Sequence, residues 1–286
     1  MSAIATQFNE FCRAHPVRTL EHDGVTWRYR VAGTGVQGLL LFPGAVGDGE
    51  VYFVIAPRLM RTHRLVAFAY PETDRLDQFI VGVCAVLDRE GLTLVDVIGG
   101  SFGGLVAQSL LQAAPSLVRR VVLSATGPAK RERSAKNARA SHIVGRIPLF
   151  ITRVLLRLIV RLTTKKVTVE RAFWRAFYND AIGRIPKSAL QSRYALGTDL
   201  DRHGPISRED VAAWTGEMLI LEGGSDAIAN RAASAALTSI FPRARHHTFA
   251  GAGHGIALER PVEWAEAVVA FLNNGNHEGG RRSLRG

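Results

Sequence analysis

The amino-acid sequence predicts an α/β fold: a mostly parallel central sheet with helices on both faces, interrupted once by a helical insertion. Three observations carry this prediction. Short apolar runs alternate with segments of helical spacing through residues 25–128 and again through 217–274. Between about residues 129 and 213 the alternation stops, and helical, strongly basic sequence takes over. Finally, one serine, Ser101, stands among Gly99, Gly100, Gly103 and Gly104 where an apolar run meets a helical pattern.

The elements follow in order. VTWRYRVAG (25–33) reads as a strand, GLLLFPG (38–44) as a short buried strand ending in turn residues, and HRLVAFAYPE (63–72) as a third. RLDQFIVGVCAVLDREG (75–91) has helical spacing and a glycine stop. LTLVDVIGG (92–100) is a strand, FGGLVAQSLLQAAP (102–115) a helix stopped by Pro115, and VRRVVLSATGP (118–128) a further strand. After the insertion come the strand-then-loop EMLILEGGSD (217–226), the helix NRAASAALTSIFP (230–242), the strand-then-loop ARHHTFAGAGHG (244–255) and the helix PVEWAEAVVAFLNN (261–274). Short joints between alternating strands and helices favour a parallel sheet covered on both sides. The expected division is a first part of the α/β core at 1–128, a basic helical insertion at 129–213, a second core part at 214–274, and a polar, glycine-rich tail at 275–286 read as disordered.

Composition narrows the function classes. The chain has 286 residues, 47% of them hydrophobic, enough for a substantial core. Its two cysteines, Cys12 and Cys84, have no framework around them, which speaks against a secreted disulfide scaffold. The first residues, MSAIATQFNEFCRAHP, lack a basic segment followed by an apolar run, so no signal peptide is expected and the expected location is cytoplasmic. Residues 129–171 hold twelve lysines and arginines against Glu132 and Glu170, a net +10 of the chain's +11. No nucleic-acid-binding motif accompanies this charge, so a nucleic-acid partner is not expected.

Gly99-x-Ser101-x-Gly103 lies between a predicted strand and a predicted helix, where a nucleophile elbow belongs. In such a turn the serine takes strained backbone angles, and its hydroxyl stands above the sheet at the positive end of the next helix. The bland alternative is a glycine-rich turn whose serine caps a helix. A serine hydroxyl is a poor nucleophile at neutral pH and needs a base, which in turn needs an orienting acid. Asp226, just past a late strand, and His254, in a glycine-rich loop past the last strand, stand in the order Ser, Asp, His. Both fall at carboxyl ends of strands, where open α/β sheets build their sites. Asp96, Asp199 and Asp201 are weaker candidates for the acid: Asp96 precedes the elbow within its strand, and the other two fall in the insertion.

These residues resemble the α/β-hydrolase superfamily over about residues 25–275, the insertion excepted. Within it, LLLFPGAVGDGEVYF, VAFAYPETDRLDQFIVGVCAVLD and VIGGSFGGLVAQ look most like maspardin-type members. The resemblance implies an α/β-hydrolase fold with an inserted helical cap. Ser101 is then the nucleophile, His254 the base and Asp226 the acid, with no cofactor and no metal. It also implies an oxyanion hole of backbone N–H groups, from Phe102 after the nucleophile and from Ala45 in the loop after the LLLF strand. That loop departs from the common pattern: many relatives have His-Gly where this chain has Pro43-Gly44, so bracing would rest on the proline's rigid φ.

Several signals are decoys. GTGVQG (33–38) spells a dinucleotide fingerprint but precedes a strand, so it reads as a connecting turn. His246 and His247 lack the ligand spacing of a metal site. In IPLFITRVLLRLIVRL (147–162), Arg153, Arg157 and Arg161 recur every four residues in an otherwise apolar segment, too often interrupted by charge for a membrane span. The expectation is a helix buried on most of its girth, with the arginines reaching solvent. The sharper alternative is a lid that roofs an apolar acyl pocket and rests on an anionic membrane surface.

The functional expectation is a serine hydrolase that cleaves an ester or thioester of a hydrophobic acid, a small-molecule acyl substrate, through an acyl-enzyme. Carbon–carbon bond hydrolysis and cofactor-free peroxidase chemistry use similar triads and stay open. So does a non-catalytic, maspardin-like binding role, while the oligomeric state has no sequence signal.

Overall fold

The structure, a computed structural model, describes residues 2–273, and the tail expected to be disordered at 275–286 lies outside them. Helix α1 (Ala3–Ala14) leads into a hairpin of β1 (Val17–His22) and β2 (Val25–Ala32). Then follow β3 (Gln37–Phe42), the short α2 (Ala56–Leu59), β4 (His63–Ala69), α3 (Leu76–Arg89), β5 (Val95–Gly100), α4 (Phe102–Ala113) and β6 (Val118–Ser124). Four helices come next: α5 (Arg131–Arg146), α6 (Leu149–Thr163), α7 (Arg171–Arg184) and α8 (Lys187–His203). The chain returns with β7 (Glu217–Gly223), α9 (Arg231–Ile240), β8 (Arg245–Phe249), α10 (Ile256–Glu259) and α11 (Pro261–Asn273).

Eight strands form one sheet in the order β1-β2-β4-β3-β5-β6-β7-β8. From β4 to β8 every neighbouring pair is parallel, as expected, while β1–β2 and β2–β4 are antiparallel. Central strands are buried on both faces, so their apolar runs do not alternate with polar residues. Leu40 and Phe42 enter one core with Trp27, Phe68 and Phe79, whereas Leu39 and Leu41 enter the other with Phe53, Trp264 and Val268.

The sequence pattern predicts no element over residues 3–22, and the reason is physical. β1 is an edge strand whose six residues are all at least partly exposed, so no apolar pattern marks it. A turn signal does follow it. Asp23 (φ 49°) and Gly24 (φ 70°) form the two-residue loop with positive φ at both positions that suits a tight hairpin.

GTGVQG is indeed a connection between strands, from the end of β2 into β3. Asp96 is fully buried on β5, held by Arg119 through Nε (2.9 Å) and Nη2 (2.6 Å) and paired with His63 at 3.2 Å. It is a structural acid. Asp201 is likewise buried; it accepts from the Lys130 N–H (3.0 Å), Asn137 Nδ2 (2.7 Å) and Arg133 Nε (2.7 Å), tying α8 to α5.

The expectation for α6 is corrected. Only a narrow face of it is buried, with Thr152 and Leu156 at its centre, while Phe150, Val154, Leu155, Leu158, Ile159 and Leu162 are exposed. Arg153 is less exposed than Arg157 and Arg161; it is half-buried and donates from Nη2 to the Ile185 carbonyl (3.3 Å).

Gly82 lies inside α3 where the Trp27 indole of β2 fills the space a Cβ would occupy. Glycine-to-alanine changes within helices normally stabilise by about 1 kcal/mol. Here, overpacking against the buried ring should dominate, and Gly82→Ala should destabilise by about 1–3 kcal/mol. Urea unfolding would measure it; a raised midpoint would mean that helix propensity outweighs the ring contact.

Candidate active site

Ser101 sits between β5 and α4 at φ 51° and ψ −114°, a backbone shape costly for a residue with a side chain. Bare backbone on both sides makes the turn possible. A Cβ on Gly99 would run into the Gly103 carbonyl, and one on Gly103 into the Phe42 carbonyl. Gly104 is pressed against Thr126 in the same way, whereas Gly100 has ordinary room toward the Tyr52 hydroxyl at 3.6 Å. Hydrogen bonds hold the turn on both sides: the Ser101 N–H donates to the Ser124 carbonyl (2.8 Å), and the Ser101 carbonyl accepts from Thr126 Oγ1 (2.8 Å) and the Gly104 N–H (2.9 Å).

The other two residues come from adjacent loops at the same end of the sheet. Ser225 N–H donates to the Ala252 carbonyl (2.8 Å) and Gly224 N–H to the Phe249 carbonyl (3.0 Å), fastening the loop after β7 to the loop after β8. Just before His254, the Gly253 N–H donates to Glu259 Oε2 (2.7 Å). Thus Asp226 and His254, 28 residues apart in the chain, arrive side by side. Ser101 O–H donates to His254 Nε2 at 2.9 Å, and His254 Nδ1–H donates to Asp226 Oδ2 at 2.8 Å. An ionised carboxylate only accepts, so the imidazole carries its proton on Nδ1 and leaves Nε2 free to accept.

Asp226 has no exposed side-chain surface. Burial pushes its carboxyl up, yet the His254 hydrogen bond and charge, together with the Ile228 N–H (2.7 Å) and Ala229 N–H (3.1 Å) on Oδ1, outweigh burial and hold it below the usual aspartate value.

Phe102 is the first residue of α4, so its N–H has no partner one turn back in the helix. Phe102 and Ala45 both line a cavity of about 370 Å³ that also touches Ser101 and His254. The loop containing Ala45 is braced, but not by Pro43's ring alone. Tyr70 O–H donates to the Pro43 carbonyl (2.6 Å) and Tyr52 O–H to the Phe42 carbonyl (2.8 Å). Arg193, buried on α8, donates to the Ala45 carbonyl (2.8 Å) and to Asp48 Oδ1 (3.1 Å). No local pattern marks Arg193, because its partners stand some 145 residues earlier in the chain.

Two cavities reach Ser101 and His254. The 370 Å³ cavity has Lys130 and Arg193 in its wall beside Leu105, Leu156 and Leu190. A second, of about 290 Å³, is more apolar, lined by Val51, Val54, Ile159, Val160, Ile256 and Trp264. His246 and His247 lie outside this arrangement on β8, and among the described residues no group of three or more His, Cys, Asp or Glu is placed to hold a metal ion.

A hydroxyl, an imidazole and a carboxylate in this line are the groups that acyl transfer through a serine requires. The sequence profile described as the alpha/beta hydrolase family matches residues 24–267. A 2-hydroxymuconate semialdehyde hydrolase of Pseudomonas putida is 25% identical over 262 residues, covering 84% of this chain and 88% of that protein. A pimeloyl-[acyl-carrier protein] methyl ester esterase of Cronobacter sakazakii is 26% identical over 181 residues, covering 61% of this chain and 67% of its own. Among solved structures, a hydrolase from Pseudomonas aeruginosa PA01 superposes with a TM-score of 0.76 at 20% identity, covering 90% of this chain and 98% of the other.

The lowered Asp226 carboxyl gives a stability effect of known sign. A carboxyl whose folded value lies below its unfolded value stabilises the fold at pH above the unfolded value and loses that contribution as pH falls through the folded one. The stability advantage of the wild type over Asp226→Asn, measured by urea unfolding, should therefore be largest near neutral pH and shrink in acid. An advantage that grows on acidification would contradict the assignment of charge.

Proposed function

This chain belongs to the alpha/beta hydrolase family, and from that premise we propose that it is a serine hydrolase acting on an ester or thioester of a hydrophobic acid. One observation carries the reading: the unbroken line Ser101 Oγ, His254 Nε2, His254 Nδ1, Asp226 Oδ2, with separations of 2.9 and 2.8 Å, built on a strained turn that lines two cavities.

In the proposed reaction the acyl carbonyl carbon sits over Ser101. His254 Nε2 takes the hydroxyl proton as Oγ bonds to that carbon, and the carbonyl oxygen becomes an oxyanion. Backbone N–H groups of Phe102 and Ala45 hold that charge. Asp226 stays ionised and steadies the imidazolium through Nδ1–H. As the carbon–leaving-group bond breaks, His254 returns the proton to the departing alkoxide or thiolate. Water then enters, loses a proton to His254 and attacks the acyl-enzyme; the acid leaves and Ser101 recovers its proton. The hydrophobic acyl part fits the more apolar cavity, and the leaving group fits the one bearing Lys130 and Arg193. In this reading α5 to α8 act as a cap over the site. The chain's two free cysteines, Cys12 and Cys84, agree with a reducing, cytoplasmic location.

A second reading, hydrolysis of a carbon–carbon bond in an acid-bearing substrate, draws on Lys130 and Arg193 in the cavity wall and on the 2-hydroxymuconate semialdehyde hydrolase relative. The non-catalytic role that the maspardin resemblance feeds has to account for an intact serine–histidine–aspartate line, which simple ligand binding does not need.

Two experiments bear on this. A fluorophosphonate probe should label the folded wild type and not Ser101→Ala, which keeps the fold because only one hydroxyl is lost. Unlabelled wild type beside a labelled control hydrolase would remove Ser101 as the nucleophile. Second, p-nitrophenyl esters of graded chain length should be turned over, and Asp226→Asn should lower kcat by about 10⁴, the size of loss that the same change causes in a serine protease by favouring the wrong imidazole tautomer. Near-normal turnover by Asp226→Asn would show that another group orients His254.

A further inference from the structure

Helix α6 is built unlike the other helices around the site. Its inner face, through Leu156, Val160, Thr163 and Thr164 at its end, walls the two cavities that reach Ser101. Its outer face is apolar too. At about 100° per residue, Phe150, Val154, Leu155, Leu158, Ile159 and Leu162 sweep about half of the circumference. All are exposed, Phe150 at 67% and Leu162 at 59%. Along one border of this arc stand Arg157 and Arg161, both exposed, and Lys165 follows just past the helix end. A face of this size left bare is a binding surface in need of an occupant.

Charge selects among occupants. The segment 129–171 carries a net +10, so a second copy of this chain laid face to face would set one such field against another. A membrane span is excluded by length: α6 has 15 residues, about 22 Å at 1.5 Å each, against a hydrocarbon core of about 30 Å. Among the described residues no helix is long and apolar enough to cross a membrane. An apolar arc edged by arginines suits the boundary between acyl chains and anionic headgroups, with the hydrocarbon stems of the arginines in the apolar layer and their guanidinium groups at the phosphates.

We propose that the outer face of α6 docks on an anionic lipid bilayer surface and that the acyl ester cleaved at Ser101 is drawn from that layer. The surface half of this proposal stands on α6 alone; the substrate half rests on the serine hydrolase reading. Ile159 joins the two, since it belongs both to the exposed arc and to the wall of the apolar cavity beside Ser101. An ester dissolved in the bilayer would meet the cavity wall where the helix meets the lipid.

The test is cosedimentation of the full chain with vesicles of phosphatidylcholine and phosphatidylglycerol in equal parts, compared with phosphatidylcholine alone. Wild type should bind the anionic vesicles more tightly and lose that preference at high salt. Arg157→Gln/Arg161→Gln should weaken binding to anionic vesicles on the order of 25-fold, about fivefold for each charge, and flatten the salt dependence. Leu155→Gln/Leu158→Gln/Leu162→Gln should weaken binding to both vesicle types by at least about tenfold. Both variants should hydrolyse a soluble p-nitrophenyl ester at the wild-type rate, because none of these five side chains lines a cavity at Ser101. Wild type that fails to bind anionic vesicles, or variants that bind as wild type does, would overturn the proposal. So would a wild-type dimer in sedimentation velocity that the leucine variant turns into a monomer, since a second copy would then cover the face. Ser101→Ala should bind vesicles like the wild type. Vesicle binding without hydrolysis of any ester would defeat the hydrolase reading and leave the surface standing; soluble-ester hydrolysis without vesicle binding would do the reverse.

Discussion

The carboxyl end of the sheet depends on one steric constraint, the contact of bare backbone between the start of α4 and the end of β3. Gly103 lies against the Phe42 and Pro43 carbonyls, and Gly99 against Gly103 itself. Any side chain at these positions would push α4 off the sheet. Only with α4 seated this close does Ser101 turn outward at φ 51°, with the Phe102 N–H opening the helix beside it. The strain at Ser101 is carried by the hydrogen bonds to Ser124 and Thr126 around it, so a single unfavourable residue is held in place by a rigid frame.

Buried carboxylates elsewhere in the chain clarify what is distinctive about Asp226. Asp96 faces Arg119 and His63, Asp201 faces Arg133, and Glu90 faces Arg18 and the Tyr29 hydroxyl. Each of these is matched by an arginine, which compensates a buried charge without leaving chemistry to perform. Asp226 is matched by two backbone N–H groups and a histidine whose other nitrogen meets a serine hydroxyl. The same cost of burying a charge is met by different partners, and of these sets the one at Asp226 leads on to the Ser101 hydroxyl.

Helices α5 to α8 contribute to the site in two separate ways. Arg193 of α8 reaches back to the loop of Ala45, so the helical segment and the backbone opposite Ser101 are mechanically joined. Lys166, after α6, donates to the Gly251 carbonyl (2.7 Å) in the loop that presents His254. Meanwhile Leu156, Ile159 and Val160 of α6 wall the cavities at Ser101, while the outer residues of the helix are exposed.

By itself the sequence determined the parallel sheet, the long helices and the elbow, because each is written in local signals: apolar runs of strand length, 3.6-residue spacing, and glycines crowded around one serine. The order Ser101, Asp226, His254 was legible too, since each follows a strand and the carboxyl ends of parallel strands lie on one side. Local signals fell silent where burial is one-sided or long-range. β1 is an exposed edge and has no apolar pattern. Arg193 looks like any helical arginine until the fold brings it to Asp48. For α6 the sequence displayed an apolar helix with arginines, but hydrophobicity alone does not say whether neighbours cover it. Tertiary structure decided that, leaving its outer face bare, because packing against other elements is a property of their positions in space and not of the residues that compose the helix.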